Sequence, residues 1–289
     1  MPRVSHAKDL EIIRTQVDGK RNRARLEMVI PNGTCCQASG SAALIDAVRA
    51  ELARQGLLQD VALRVTGCLG FCEQEPVILI EPGNILYCHV AAKDAAEIVS
   101  RTAQKGEILE QFLFADPVSG KRIQMESDIP FYKAQTRQLI RMHRFVDPFS
   151  IEDYIATGGY KAIAKVLAGV KPEEIIAEVK AAGLRGRGGA GFPTGRKWEE
   201  SHEAPGDEKY VICNADEGDP GAYMDRCLLE ANPHEVLEGM MIGAYAVGAN
   251  KGYIYVRREY PLAVKHARIA IGQAREYGLL GENILGSNF

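Results

Sequence analysis

Apolar residues along this chain recur in two rhythms, and the rhythms divide it. Short apolar runs at 26–30, 61–66, 77–80 and 85–90, bounded by turn-forming residues, read as strands. Between the first two, Leu44, Val48 and Leu52 recur at a spacing of four and predict a helix over 41–55. Glu81-Pro82-Gly83-Asn84 is a tight turn that makes a hairpin of the last two strands. A helix over 93–103, carrying Ala96, Ile98 and Val99, completes a βαβββα unit.

Residues 109–150 are less regular. Asp116-Pro117-Val118-Ser119-Gly120-Lys121 reads as a turn or linker, and 130–145 as a lead-in helix with a basic surface. Asp147-Pro148-Phe149-Ser150 caps a helix over 151–156, which Gly158-Gly159 ends. Residues 172–182 form the next helix, with Pro172 near its start, Glu173 and Glu174 in its first turn, and Ile175, Ile176 and Val179 on its apolar face. A strand at 210–213, a helix over 233–248, a strand at 253–256 and a helix over 262–277 then alternate, which implies a parallel sheet. The expected fold class is α/β. Its expected parts are a basic tail over 1–25, a small domain over 26–108, a linker with its lead-in helix over 109–150, and a second domain over 151–289. Two strands are few for a self-contained doubly wound sheet.

The 289 residues suit about two domains. A net charge of −3 gives no electrostatic case for nucleic acid, and the basic run at 20–25 reads as a solvated tail. The first residues lack the apolar core of a signal peptide, and the longest mostly apolar stretch, 239–249, is short of a membrane span. A cytoplasmic location is expected, with no direct membrane insertion. Seven cysteines in a reducing compartment point to metal or redox chemistry before structural disulfides.

Residues 183–198, Gly-Leu-Arg-Gly-Arg-Gly-Gly-Ala-Gly-Phe-Pro-Thr-Gly-Arg-Lys-Trp, gather six glycines, three arginines and a lysine. Glycine lets main-chain amides approach a ligand closely, and the basic side chains add donors suited to phosphate. Gly186, Gly188 and Gly191 satisfy G-x-G-x-x-G, but the loop follows a helix where a Rossmann fingerprint follows a strand. Trp198 after Lys197 also rules out a Walker sequence. A second element, Cys213-Asn214-Ala215-Asp216-Glu217-Gly218-Asp219-Pro220-Gly221, leaves the carboxyl end of a strand, where open α/β sheets place ligands. Its amide and carboxylates could pair with a heterocycle edge and ribose hydroxyls.

Together, 183–198 and 212–226 resemble the flavin loop and the Asn-Ala-Asp-Glu segment of the NADH-binding flavoprotein subunit of respiratory complex I. The same module occurs in soluble NAD(P)-linked hydrogenases and formate dehydrogenases. Phe131-Tyr132-Lys133-Ala134-Gln135 and Ile155-Ala156-Thr157-Gly158-Gly159-Tyr160 are similar to that family's lead-in, so the resemblance covers about 115–289. It implies FMN in a pocket of Gly186, Arg187, Gly188, Lys197, Asn214, Asp216 and Gly218. It further implies NAD(H) over the flavin, with Phe192 against a base ring and Glu217 and Asp219 near the ribose. The family carries Glu where Asp219 stands. Hydride transfer would run between the cofactors, with no catalytic side chain. Lys197 near the pyrimidine end of the ring would stabilise reduced anionic flavin.

In the small domain, Cys35-Cys36 and Cys68-x-x-x-Cys72 lie on two loops, each after a strand, which suggests a [2Fe–2S] cluster. The C-x-x-C knuckles of zinc sites and thioredoxin-like dithiols are absent. The unit resembles the thioredoxin-like [2Fe–2S] ferredoxin domain often fused ahead of this flavoprotein, and Thr66-Gly67-Cys68-Leu69-Gly70-Phe71-Cys72-Glu73 matches its second ligand pair. The family's first cysteine falls where this chain has Pro31. Either Cys35 substitutes, giving Cys35, Cys36, Cys68 and Cys72 as ligands, or the site keeps three cysteines or none. The four-ligand reading is the expectation. Cys88, Cys213, Cys227 and the six histidines read as structural.

The expected function is an NAD(P)H-oxidising flavoprotein module that passes electrons singly to iron–sulfur centres, working with other iron–sulfur subunits of a redox complex. The competing expectation is a non-catalytic relay or assembly subunit. In the family a further cofactor segment and a [4Fe–4S] domain follow position 289, so the chain reads as part of a longer protein.

Overall fold

A computed structural model describes residues 3–21, 25–219 and 221–289. It divides into two compact units, one formed by Thr15–Asp153 with Glu230–Asn232, the other by Met1–Arg14, Tyr154–Leu229 and Pro233–Phe289. The chain opens with α1 (Ala7–Arg21), where a solvated tail was expected. Leu10, Ile13 and Val17, three and four apart, are buried, a short apolar stripe hidden among charges. The remainder of the basic run, 22–24, lies outside the described residues, as does Pro220 of the acidic loop.

In the first unit β1 (Leu26–Pro31), β2 (Val61–Thr66), β3 (Ile78–Glu81) and β4 (Ile85–Tyr87) form one sheet in the order β2-β1-β3-β4. β1 and β2 are parallel, joined through α2 (Thr34–Ala38) and α3 (Ser41–Arg54); the other pairs are antiparallel. Strand alternation sorts the core. Met28, Ile30, Ile78 and Ile80 meet Leu44, Val48 and Leu52 of α3 on one face, with Ile98 and Val99 from the helical run around α4 (Ala95–Glu97). Val29, Leu79 and Leu86 face the other way and are covered by Phe114, Ile129 and Tyr132.

That cover comes from the stretch expected to be a linker. β5 (Phe114–Ala115) and β6 (Arg122–Ile123) flank the expected turn, and α5 (Pro130–Lys133) follows. The helix expected over 130–145 does not extend past α5. Arg137 and Arg144 instead reach the buried Glu126 carboxylate at 3.1 and 2.8 Å, and Arg144 also meets Asn84 at 2.9 Å. Two arginines drawn onto one buried acid bend the segment out of helical register.

The second unit carries α6 (Ile151–Ala156), α7 (Lys161–Leu167), α8 (Pro172–Ala181), α9 (Thr194–Glu203), β7 (Tyr210–Ala215), α10 (Met224–Ala231), α11 (Pro233–Val247), β8 (Lys251–Val256) and α12 (Pro261–Glu276). The first residues of α6 and the last of α10 fall in the other unit. β7 and β8 pair in parallel, Tyr210 opposite Lys251 through Ala215 opposite Val256. Cys213, Ala215, Ile254 and Val256 pack with Leu229, Tyr260 and Ala263. On the opposite face Tyr210, Ile212, Tyr253 and Tyr255 are exposed by 47, 65, 57 and 60%. Among the described residues no helix is long and apolar enough to cross a membrane.

A buried polar cluster ties α6, α7, α11 and α12. The Glu238 carboxylate accepts from the Tyr154 hydroxyl at 2.5 Å and from the amides of Tyr160 and Ile163 at 2.7 and 3.0 Å. His234 lies 2.8 Å from the Tyr160 hydroxyl and 3.0 Å from Gln273 Oε1, and burial pushes its pKa down from 6.5 to about 4. The unfolded chain therefore takes up this proton near pH 6.5 and the folded chain only near 4. Stability from His234 is complete above pH 6.5 and declines as pH falls toward 4, by about 3 kcal/mol in all. Denaturant midpoints measured between pH 7.5 and 4.5 should fall more steeply for the natural chain than for His234→Gln; equal slopes would refute this.

Candidate functional site

The cysteine loops owe their meeting to the register of β1 and β2. Pro31 lies opposite Thr66, so the chain leaves both strands at the same end of the sheet. The first loop enters α2, which buries Cys36 completely and leaves Cys35 half-buried. The second carries Cys68, buried, and Cys72, half-buried, with their sulfurs 3.6 Å apart. The Gly70 amide donates to Cys68 Sγ at 3.3 Å, and the buried His143 ring lies 3.1 Å from the Cys68 carbonyl. Glu230 accepts from the Thr34 amide at 2.8 Å and from the Thr34 hydroxyl, fixing the start of α2. Ala231 packs so closely on Gly67 that a Cβ there would fall 2.0 Å from the alanine methyl.

Inside this pocket donor atoms of Cys36, Cys68 and Glu75 lie within 4.8 Å of one another, Cys36 Sγ being 3.2 Å from Glu75 Oε1. Cys35 completes the set through a contact with Cys72. The Cys68 thiol, and after it burial, push the Cys36 and Cys72 thiols upward. Burial raises Glu75 to about 7. Such crowding of anionic donors favours the protonated forms until a cation takes their charge, which is the electrostatics of a metal pocket. The donor set fits an iron–sulfur cluster. All four expected cysteines are brought together here. Glu75 was missed because a lone glutamate after a cysteine pair carries no spacing signal. Cys88 packs in the core, where burial pushes its thiol to about 12.

The glycine loop spans the gap between α8 and α9, so it does open a helix. Main-chain bonds from Gly186 N to the Phe192 carbonyl (2.9 Å) and from Thr194 N to the Leu184 carbonyl (2.8 Å) close it at the base. Gly189 and Gly191 adopt φ of 99° and 62°, conformations that favour glycine. Among the described residues no atom beyond the adjoining ones lies within 4 Å of a Cβ built on Gly188, Gly189 or Gly191, so the protein's own side chains leave the loop open there. Arg196 and Lys197, in the first turn of α9, each lie 5.7 Å from the half-open Phe192 ring. Arg185 and Arg187 fold back on the carbonyls of Gly191 and Arg185.

The acidic loop leaves the carboxyl end of β7 as expected. Asn214 Oδ1 accepts from the Asp216 amide at 3.0 Å, and Asn214, Asp216, Gly218 and Asp219 are exposed. Glu217 is placed differently from the expected ribose contact. It is buried, and its two oxygens accept from the amides of Asp225 and Arg226 at 3.0 and 3.2 Å, fastening the loop to the start of α10. Arg257 and Tyr260 hold its carbonyl at 2.6 and 3.1 Å.

The second unit thus holds an open glycine loop and a parallel strand pair, and the first a buried cysteine pocket. Residues 179–284 match the Nuo51 FMN-binding domain. The NADP-reducing hydrogenase subunit HndC of Solidesulfovibrio fructosivorans is 57% identical over 157 residues, 54% of this chain and 32% of that subunit. An NADH-quinone oxidoreductase subunit of Aquifex aeolicus is 48% identical over 163 residues, 56% of this chain and 38% of its own length. The chain thus spans about a third of the length of these relatives. A thioredoxin-like [2Fe-2S] ferredoxin from Aquifex aeolicus superposes with a TM-score of 0.30 and 20% identity, over 32% of this chain and 99% of that one.

Gly195 sets the seat of the loop, because a Cβ there would fall 2.7 Å from the Lys180 backbone nitrogen in α8. Gly195→Ala should therefore part α9 from α8 and cost about 1–3 kcal/mol. Thermal denaturation checks this; an unchanged midpoint would mean the two helices are not held at this point.

Proposed function

We propose that this chain is the NAD(P)H-oxidising module of an oxidoreductase complex, with FMN at the glycine loop and a [2Fe–2S] cluster in the cysteine pocket. The observation that carries the reading is the open main chain of 186–191, flanked by basic side chains, inside the stretch matched by the FMN-binding domain. The amides of Gly186, Arg187 and Gly188 would hold the phosphate end, with Arg187 adding charge. Asn214, Asp216 and Gly218 would face the edge of the ring system, and Lys197 would offset negative charge on it. Phe192 presents a half-open ring on which a base of NAD(H) can stack, and Asp219 is free to meet ribose hydroxyls. Glu217 acts by position: it holds the loop that carries Asp216 and Asp219.

Bound FMN would take a hydride from the nicotinamide and release electrons one at a time, joining two-electron to one-electron chemistry. The thiolates of Cys36, Cys68 and Cys72 would hold the cluster, with Cys35 as the fourth donor expected from sequence. Further iron–sulfur subunits are the partners this chemistry calls for, and the relatives' standing as subunits of complexes supports that. The seven cysteines, none of them in a disulfide, suit a cytoplasmic setting.

Quenching of flavin fluorescence on titration with the protein tests the loop directly. Arg187→Ala should weaken FMN binding about 10-fold, equal to the ~1.5 kcal/mol of one charged hydrogen bond. Gly188→Val should block it with the fold intact, its Cβ meeting no atom of the described residues beyond the adjoining ones within 4 Å. Equal affinity for the natural chain and Gly188→Val would end the proposal. Ferricyanide reduction by NADH separates a catalytic module from a relay subunit, which would show none.

A further inference from the structure

Five glutamates are buried among the described residues: Glu75, Glu126, Glu217, Glu230 and Glu238. Four are supplied with donors. Glu126 meets two arginines, Glu217 two helix amides, Glu230 the amide and hydroxyl of Thr34, and Glu238 two amides and a tyrosine hydroxyl. Glu75 is different. Its Oε2 accepts from the Val77 amide at 3.1 Å, while Oε1 faces only the Cys36 thiol at 3.2 Å. Among the described residues no basic side chain pairs with it. A carboxylate buried with one backbone hydrogen bond and no cation is costly, and either a proton or a metal takes up its charge.

We propose that Glu75 is an oxygen ligand of the iron–sulfur centre, taking the fourth terminal position beside Cys36, Cys68 and Cys72 in place of the cysteine that Pro31 displaces. The inference rests on the reading of the pocket as a cluster site and changes one of its ligands. Geometry favours Glu75 over Cys35. The oxygen of Glu75 converges with the sulfurs of Cys36 and Cys68, whereas Cys35 touches Cys72. Cys35 and Cys36 are successive residues of α2, so their side chains project about 100° apart. Cys36 points inward and is fully buried; Cys35 is half-exposed by the same turn. Exchanging a thiolate for a carboxylate keeps the formal charge of the ligand set while introducing a harder donor. The Val77 amide fixes the carboxylate's orientation, the part an outer hydrogen bond plays at metal sites.

The full chain, reconstituted with ferric iron and sulfide and reduced with dithionite, would be compared by EPR and iron content with Cys35→Ala, Glu75→Gln and Glu75→Cys. Glu75→Gln retains an acceptor for the Val77 amide, and circular dichroism reports whether each variant folds. The expected result is that Cys35→Ala keeps the natural g-values and iron content. Glu75→Cys should shift the g-values to those of a four-thiolate cluster, and Glu75→Gln should lose iron to a chelator at least 10-fold faster. Loss of the cluster in Cys35→Ala, or g-values unchanged in Glu75→Cys, overturns the assignment while leaving the cluster reading intact. A natural chain that assembles no cluster overturns both.

Discussion

The parallel pairing of β1 with β2 is the constraint on which the cysteine pocket depends. Parallel neighbours deliver their following loops to one end of the sheet, and the register with Pro31 opposite Thr66 leaves little slack before Cys36 and Cys68. A slip of one residue would turn Met28 and Ile30 away from α3 and bring Val29 in, so the core on each face enforces the register. The same hydrophobic pattern that folds the sheet thus brings together thiols separated by more than thirty positions. Close together and buried, they favour their protonated forms until a cation takes the charge of the thiolates.

The second unit solves a different problem, that of keeping a flexible glycine loop in place while leaving it open. Gly195 allows α9 to touch the backbone of α8, and Trp198 on the same helix packs beside Val211 of β7 and Ala244 and Val247 of α11. Both ends of the loop are therefore on packed helices, and its conformational freedom is confined to 186–191. Pre-organisation of this kind lowers the ordering entropy that a bound nucleotide would otherwise oppose.

Much of this was legible. The periodic elements, β2, α3, α8, α11 and α12, fall within a residue or so of their sequence expectations, because each has an apolar face and a local start or stop signal. The glycine loop and the four cysteines stand out in the sequence for a chemical reason: their residue types have few uses in such density. What could not be read were features fixed by partners far along the chain. Residues 130–145 contain helix formers, but Arg137 and Arg144 belong to Glu126. Glu217 carries the polarity of a ligand contact, yet its carboxylate is used by backbone amides.

The three helices that sequence did not reveal in the second unit share the lack of a local side-chain cap. α7 begins after Tyr160, in the left-handed region at φ 61°, and α9 after Pro193; neither residue has a side chain that caps. α10 is closed at its start by Glu217, seven residues ahead of its first residue. The orphan amides of α7 are answered by Glu238, from α11. In the first unit α2, preceded by Gly33, is likewise answered by Glu230. A local Ser, Thr, Asp or Asn cap would have marked these starts in sequence and left each helix independent. A glutamate drawn from elsewhere removes the mark, and in exchange it couples the helix start to a distant element. Two of these starts adjoin a segment that a cofactor would meet: the cysteines for α2, the acidic loop for α10. Burying the carboxylate is the cost of that coupling, offset by two or three charge-assisted hydrogen bonds at each site. The precision of the two pockets and the silence of the sequence about their helices therefore have the same origin.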